Sequence, residues 1–133
     1  MPPLKPWMKF LLCFAGGFNL LAGVSMCTLY HEGYELLGTP KPDLILPVQV
    51  MGILVALFGV GYLMVAANPI ENRNILTLGF LSKAISSAVA LAYVACGQLP
   101  WWFAVVVFFA DVIYLPPFYV IMRCLYRAAR ARS

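Results

Sequence analysis

Two ionisable residues fall inside long apolar stretches of this sequence: Lys83, in NILTLGFLSKAISSAVALAYVAC, and Asp111, in WWFAVVVFFADVIYLPPFYVIM. A charge at the centre of a bilayer costs about 2.5–3.5 kcal/mol on insertion, so it turns toward a bundle interior and takes a partner. At a rise of about 1.5 Å per residue, Lys83 lies about 12 Å inside an edge placed near Ile75. On the same scale Asp111 lies about 18 Å inside an edge near Arg123, and Asn19 about 18 Å from Trp7. A lysine stem covers the difference of about 6 Å. Three arrangements fit these depths. Lys83 and Asp111 form a buried ion pair, with Asn19 completing the hydrogen bonds and Tyr114, Ser86 or Ser87 joining. The same pair serves only to fix helix register, because removing one partner would strand a charge. Lys83 instead snorkels to the headgroups and never meets Asp111. Asp111 and Tyr114 lie one helical turn apart and share a face. Asn19, Lys83, Asp111 and Tyr114 are therefore the candidate intramembrane polar cluster, structural or ligand-binding.

Other chemistry finds little support. His31 is the single histidine, so no zinc or haem ligand set assembles, and no cofactor is expected. It sits in a loop beside Glu32 and Glu35, where no nucleophile–histidine–acid triad can form. The cysteines at 13, 27, 96 and 124 contain no Cys-x-x-Cys pair. Cys27 and Cys96 both fall near span ends on one side, which makes a disulfide between them geometrically feasible in an oxidising compartment. Gly59-Val-Gly61 is no nucleotide loop, since no strand precedes it.

The elements that must hold the cluster follow from composition. Of 133 residues, 63% are hydrophobic and 11% charged, against roughly 45–50% and about 25% in a soluble domain. Mean hydropathy is +0.89. These values exclude a soluble enzyme, a disordered chain and a nucleic-acid-binding domain. The net charge of +4 includes four arginines clustered from Arg123 to Arg132, flanking an apolar run. A span needs about 20 apolar residues, and four stretches qualify: about 7–28, 47–67, 74–96 and 101–125. The expected fold is an all-α integral membrane protein, a single-domain four-helix transmembrane bundle. Pro47 opens the second span and Asn68-Pro69 closes it; Gly97 follows the third. Residues 30–37 predict a short interfacial helix ended by Gly38. Val24-Ser-Met-Cys27 is a near miss to a lipoprotein cleavage box, with Met26 too large before the cysteine, so the first stretch is expected to stay as a span.

With four spans both termini share one side. That side and the 68–73 loop carry seven of the nine basic residues, the opposite side only Lys41. Basic residues stay cytoplasmic, so the expected location is the inner (cytoplasmic) membrane with both termini in the cytoplasm. Trp101 and Trp102 mark the outer interface and Trp7 the inner one. Small residues (Gly16, Gly17 and Gly23; Gly52, Ala56 and Gly59; Gly79, Ser82 and Ser86) mark close helix approach. Pro116-Pro117 must bend or break the fourth span. The freed carbonyls then need partners or line a polar cavity, and the kink, one turn from Asp111, would open a pocket beside the carboxylate.

Phe18-Asn19, Met51-Gly52, Gly59-Val-Gly61-Tyr62, Asn68-Pro69, Gly79-Phe-Leu-Ser-Lys83, Gly97-Gln-Leu-Pro100 and Asp111-Val-Ile-Tyr114 with Pro117-Phe118 together resemble the small bacterial DoxX-like four-span membrane proteins. Ala110 departs from that pattern, which would place Asn before the Asp. The resemblance implies a four-span bundle whose motif residues include Asn19, Lys83 and Asp111, and no defined reaction. The leading expectation is a non-catalytic accessory or stabilising subunit of a larger membrane complex, partnered by other subunits or by copies of itself. The second is a binding or carrier protein for a lipophile, a quinone or lipid, whose polar head meets Asp111 and Lys83. A lipid-modifying enzyme using Asp111 with Tyr114 is the weakest, because a carboxylate and a lysine that neutralise each other leave no base.

Overall fold

The computed structural model describes residues 4–132 and is all-helical. Helix α1 spans Pro6–Thr28, α2 Tyr30–Leu37, α3 Leu46–Ala67, α4 Arg73–Ala95, α5 Trp102–Ala110 and α6 Leu115–Arg132. A 3₁₀ turn, Val112–Tyr114, joins the last two. Four segments are long and apolar enough to cross a membrane, namely α1, α3, α4 and the α5–α6 unit Trp102–Arg132. The chain is a multi-pass membrane protein.

Local signals place the helix ends. Pro6 and Pro47 occupy first-turn positions of α1 and α3, where a missing N–H loses nothing. Asn68 caps the end of α3, and the Asn72 side chain donates to the Met64 carbonyl at 2.9 Å. Gly38 (φ 69°) and Gly97 (φ 78°) turn the chain in the left-handed region after α2 and α4, a conformation open to glycine at little steric cost.

The tightest contact joins α1 and α3 through glycine. A Cβ at Gly23 would lie 2.5 Å from the Ala56 nitrogen, and one at Gly59 would lie 2.6 Å from the Gly16 carbonyl oxygen. In hydrocarbon, where no hydrophobic drive separates helix from lipid, such backbone proximity is what holds helices together. Gly17 departs from the expected pattern: nothing lies within 4 Å of where its Cβ would be, because it points away from α3. Gly79 departs differently. It receives not a helix backbone but the ring of Tyr62, whose hydroxyl would lie 2.6 Å from a Cβ there.

The core sits at the end carrying both termini, where Met8, Leu12, Tyr62, Val65, Leu76, Phe118, Ile121 and Leu125 are fully enclosed. Here α6 runs beyond the expected end at Leu125, as far as Arg132. Arg and Ala are strong helix formers, and Ala128 and Ala129 pack on the core. Tyr126 anchors the extension: its hydroxyl donates to Asn74 Oδ1 at 2.8 Å and lies 2.9 Å from Thr77 Oγ1. The Arg73 guanidinium lies 5.4 Å from the Tyr126 ring centre.

The fourth span breaks where the prolines require it, but not at the prolines themselves. In an uninterrupted helix the carbonyls of Val112 and Ile113 would pair with the N–H groups of residues 116 and 117, which proline lacks. The chain instead tightens one turn earlier. Tyr114 N–H donates to the Asp111 carbonyl at 3.1 Å, and Leu115 N–H to that of Val112. Pro116 and Pro117 then fall in the first turn of α6.

Candidate functional site

The proline-driven 3₁₀ turn creates the acceptor that Lys83 uses. Because Tyr114 N–H pairs with residue 111, the Ala110 carbonyl at the end of α5 has no helical partner. Lys83 Nζ donates to that carbonyl at 3.1 Å and to Asp111 Oδ1 at 3.1 Å. Its ammonium also lies 4.9 Å from the Tyr114 ring centre, within cation–π range. In a 3₁₀ turn, side chains three residues apart eclipse, which is how Asp111 and Tyr114 come to flank the same ammonium. Lys83 is 6% exposed and does not snorkel. Its burial follows from the α4 stripe Leu76, Gly79, Lys83, Ser87, which faces inward.

Asn19 is placed differently from the expectation. It does not complete the ion pair. Its Nδ2 donates to the Val55 carbonyl at 3.4 Å, taking the second lone pair of an oxygen inside α3. The Gly16–Gly59 and Gly23–Gly52 contacts bring the two backbones close enough for this reach. Tyr114 likewise contributes its ring face rather than its hydroxyl. Ser86 lines the site, whereas Ser87 is buried outside it, its hydroxyl without a partner among the described residues.

Asn19, Lys83 and Asp111 nonetheless face one chamber of about 410 Å³, bounded by α1, α3, α4 and the end of α5. Glycines bring α1 against α3, while α3 meets α4 through the Tyr62 ring seated on Gly79. The lining is largely apolar (Phe18, Leu54, Phe58 among others), with polar residues from three elements: Asn19 of α1, Ser82, Lys83 and Ser86 of α4, and Asp111 after α5. The Asp111 side chain keeps 29% exposure, and its Oδ2 takes no hydrogen bond among the described residues. Of the three Lys83 N–H donors, one is unspent. The chamber thus offers at least one donor and one acceptor from a pair with no net charge.

Tyr62, enclosed to 1% exposure and lining the chamber, is the principal site residue that sequence reasoning missed. The signal was present as its place in the Gly59-Val-Gly61-Tyr62 motif, opposite a third-span glycine. Among the described residues no group of His, Cys, Asp and Glu could hold a metal ion. The Cys27–Cys96 disulfide is not formed. Cys27 is turned onto α3, where its thiol donates to the Gln49 carbonyl at 3.3 Å. No protein-family model, no curated protein and no solved structure matches this chain.

Proposed function

We propose that this chain is a non-catalytic membrane protein that binds the polar head of a neutral amphiphile, a quinone or a lipid, in the chamber beside Lys83 and Asp111. The observation that carries the reading is a self-neutralised ion pair whose carboxylate, 29% exposed, lines a cavity of about 410 Å³, within the roughly 300–1,000 Å³ of small-molecule sites. A structural pair needs no cavity. A pair of zero net charge with a spare donor and acceptor suits a carbonyl or hydroxyl head better than a phosphate. Proton-transfer chemistry has no free base, since Asp111 is committed to Lys83. The DoxX-like kinship and the orientation with both termini cytoplasmic, in the inner membrane, form part of this proposal. The first is supported by the motif residues Asn19, Lys83 and Asp111 meeting at one chamber, the second by the basic residues at the terminal end.

The test is thermal unfolding in lipid nanodiscs with an alkyl benzoquinone and, separately, a monoacylglycerol. A ligand that binds only the folded state raises Tm. One of the two is expected to raise the Tm of the parent and not that of Ser86→Leu, which narrows the chamber while replacing neither member of the ion pair. Equal shifts in both proteins, or no shift with either probe, would overturn the reading.

The accessory-subunit expectation stands as a second proposal. Phe10 and Phe14 stack with ring centres 6.5 Å apart on an exposed face of α1, an aromatic ridge of the kind enriched in interfaces. Co-migration of other membrane subunits in mild detergent, lost in Phe10→Ala/Phe14→Ala, would support it.

A further inference from the structure

A second chamber, of about 520 Å³, lies between α2, the ends of α1 and α3 nearest to it, and the α4–α5 turn. Its walls are almost wholly apolar, with Leu37, Leu99, Trp102 and Phe103 prominent. Gly38 ends α2, from which Tyr30, Gly33, Tyr34 and Leu37 line the chamber, and Gly97 turns the chain ahead of Leu99, Pro100, Trp102 and Phe103, which line it from the other side of that turn. The two chambers are neighbours: Met26 and Met51 line both. Met26 gains its place because Gly52 has no side chain. A Cβ at Gly52 would lie 2.8 Å from Met26 Cβ. Methionine is unbranched and flexible, so the two side chains shared by both linings can repack around a chain that enters both chambers.

We propose that the second chamber holds the apolar tail of the amphiphile whose head occupies the first, the tail passing between Met26 and Met51. This rests on the head-binding reading and adds to it the ligand class: a single-chain amphiphile with a neutral carbonyl or hydroxyl head. The polarity supports a single occupant. Asn19, Lys83, Asp111, Ser82 and Ser86 belong to the first chamber alone, whereas the second offers an aromatic and aliphatic surface suited to methylene groups. A molecule filling both must be polar at one end and apolar at the other. A methionine-bounded passage also suits one chain better than the paired chains of a phospholipid.

The experiment compares a tail-less benzoquinone with its alkyl derivative, the latter carrying a diazirine at the tail end, in nanodiscs holding the full chain. Photolysis is expected to label residues 30–37 and 99–103. Leu37→Trp, which enlarges a side chain lining the second chamber and not the first, from a part-exposed position on α2, should weaken the alkyl probe roughly tenfold and leave the tail-less one unchanged. Labelling confined to lipid-facing positions such as Phe14 or Ile85, or equal affinity of the alkyl probe for parent and Leu37→Trp, overturns the tail assignment while head binding stands. Failure of the tail-less benzoquinone to bind together with no Tm shift from the monoacylglycerol, or indifference of both to Ser86→Leu, overturns the head reading and this one with it.

Discussion

Lys83 is held at mid-bundle by three groups that all come from the region where the fourth span breaks: the Asp111 carboxylate, the Ala110 carbonyl and the face of Tyr114. Deleting one charge leaves the other inside a low-dielectric interior without compensation, which typically costs about 3–5 kcal/mol. Lys83→Met alone and Asp111→Asn alone should therefore each lower Tm in detergent. Asp111→Asn should cost less, because a neutral amide still accepts from the ammonium and Asp111 is part-exposed to the chamber. The double replacement Lys83→Met/Asp111→Leu should recover most of the loss, since an apolar pair of similar volume often equals or exceeds a buried ion pair. Single variants as stable as the parent would show that the pair contributes nothing. The two ionisable residues were legible as partners because hydrocarbon leaves a charge so few places to go. The role of Asn19 was not, because the amide is satisfied by a backbone carbonyl, and no side-chain pattern marks which carbonyl comes within reach.

Between α1 and α3, stability depends on glycines that face the opposite backbone, and only those. Gly23→Leu and Gly59→Leu must force the helices apart at positions where even a Cβ has no room, with an expected loss of at least about 1–3 kcal/mol. Gly17→Leu, turned to open space, should stay within about 0.5 kcal/mol of the parent. Similar losses at positions 17 and 23 would refute the glycine interface. The break in the fourth span makes a separate prediction. Pro116→Ala/Pro117→Ala restores the N–H partners of Val112 and Ile113, so the segment should relax to continuous α-helix and return the Ala110 carbonyl to Tyr114 N–H. The Cα chemical shifts of residues 111–114 should then move to α-helical values, with weaker head-group binding as Lys83 loses an acceptor. Unchanged shifts would mean that the prolines do not cause the turn. Sequence showed that two prolines must interrupt this span. It did not show that the interruption falls upstream of them, because that follows from which carbonyls lose donors and not from where the rings sit.

At the scale of the whole molecule, the helices and their ends were legible because each boundary carries its own chemistry: Pro47 at a start, Asn68-Pro69 at a stop, Gly38 and Gly97 in the left-handed region. A pocket beside Asp111 was legible from the prolines that break the fourth span, but the walls of that chamber and the second chamber were not, because a void belongs to how helices pack, and the Tyr62 ring seated on Gly79 is a contact between two spans. The charge distribution is the remaining whole-chain property, and it predicts orientation. The terminal end and the 68–73 loop carry Lys5, Lys9, Arg73 and the four arginines between 123 and 132, while the α2 end carries Lys41. Retention of basic residues in the cytoplasm acts over short loops and near span ends, and every connection here is short. Alkaline phosphatase, which is active only outside the cytoplasm, should therefore be active when fused after Pro42 and inactive when fused after Ser133. Reversing the bias, by replacing Arg127, Arg130 and Arg132 with Gln and adding lysines beside Lys41, should shift part of the population to the opposite topology. Activity at the C-terminal fusion of the parent would place the termini outside, and the amphiphile would then reach the second chamber from the cytoplasmic leaflet.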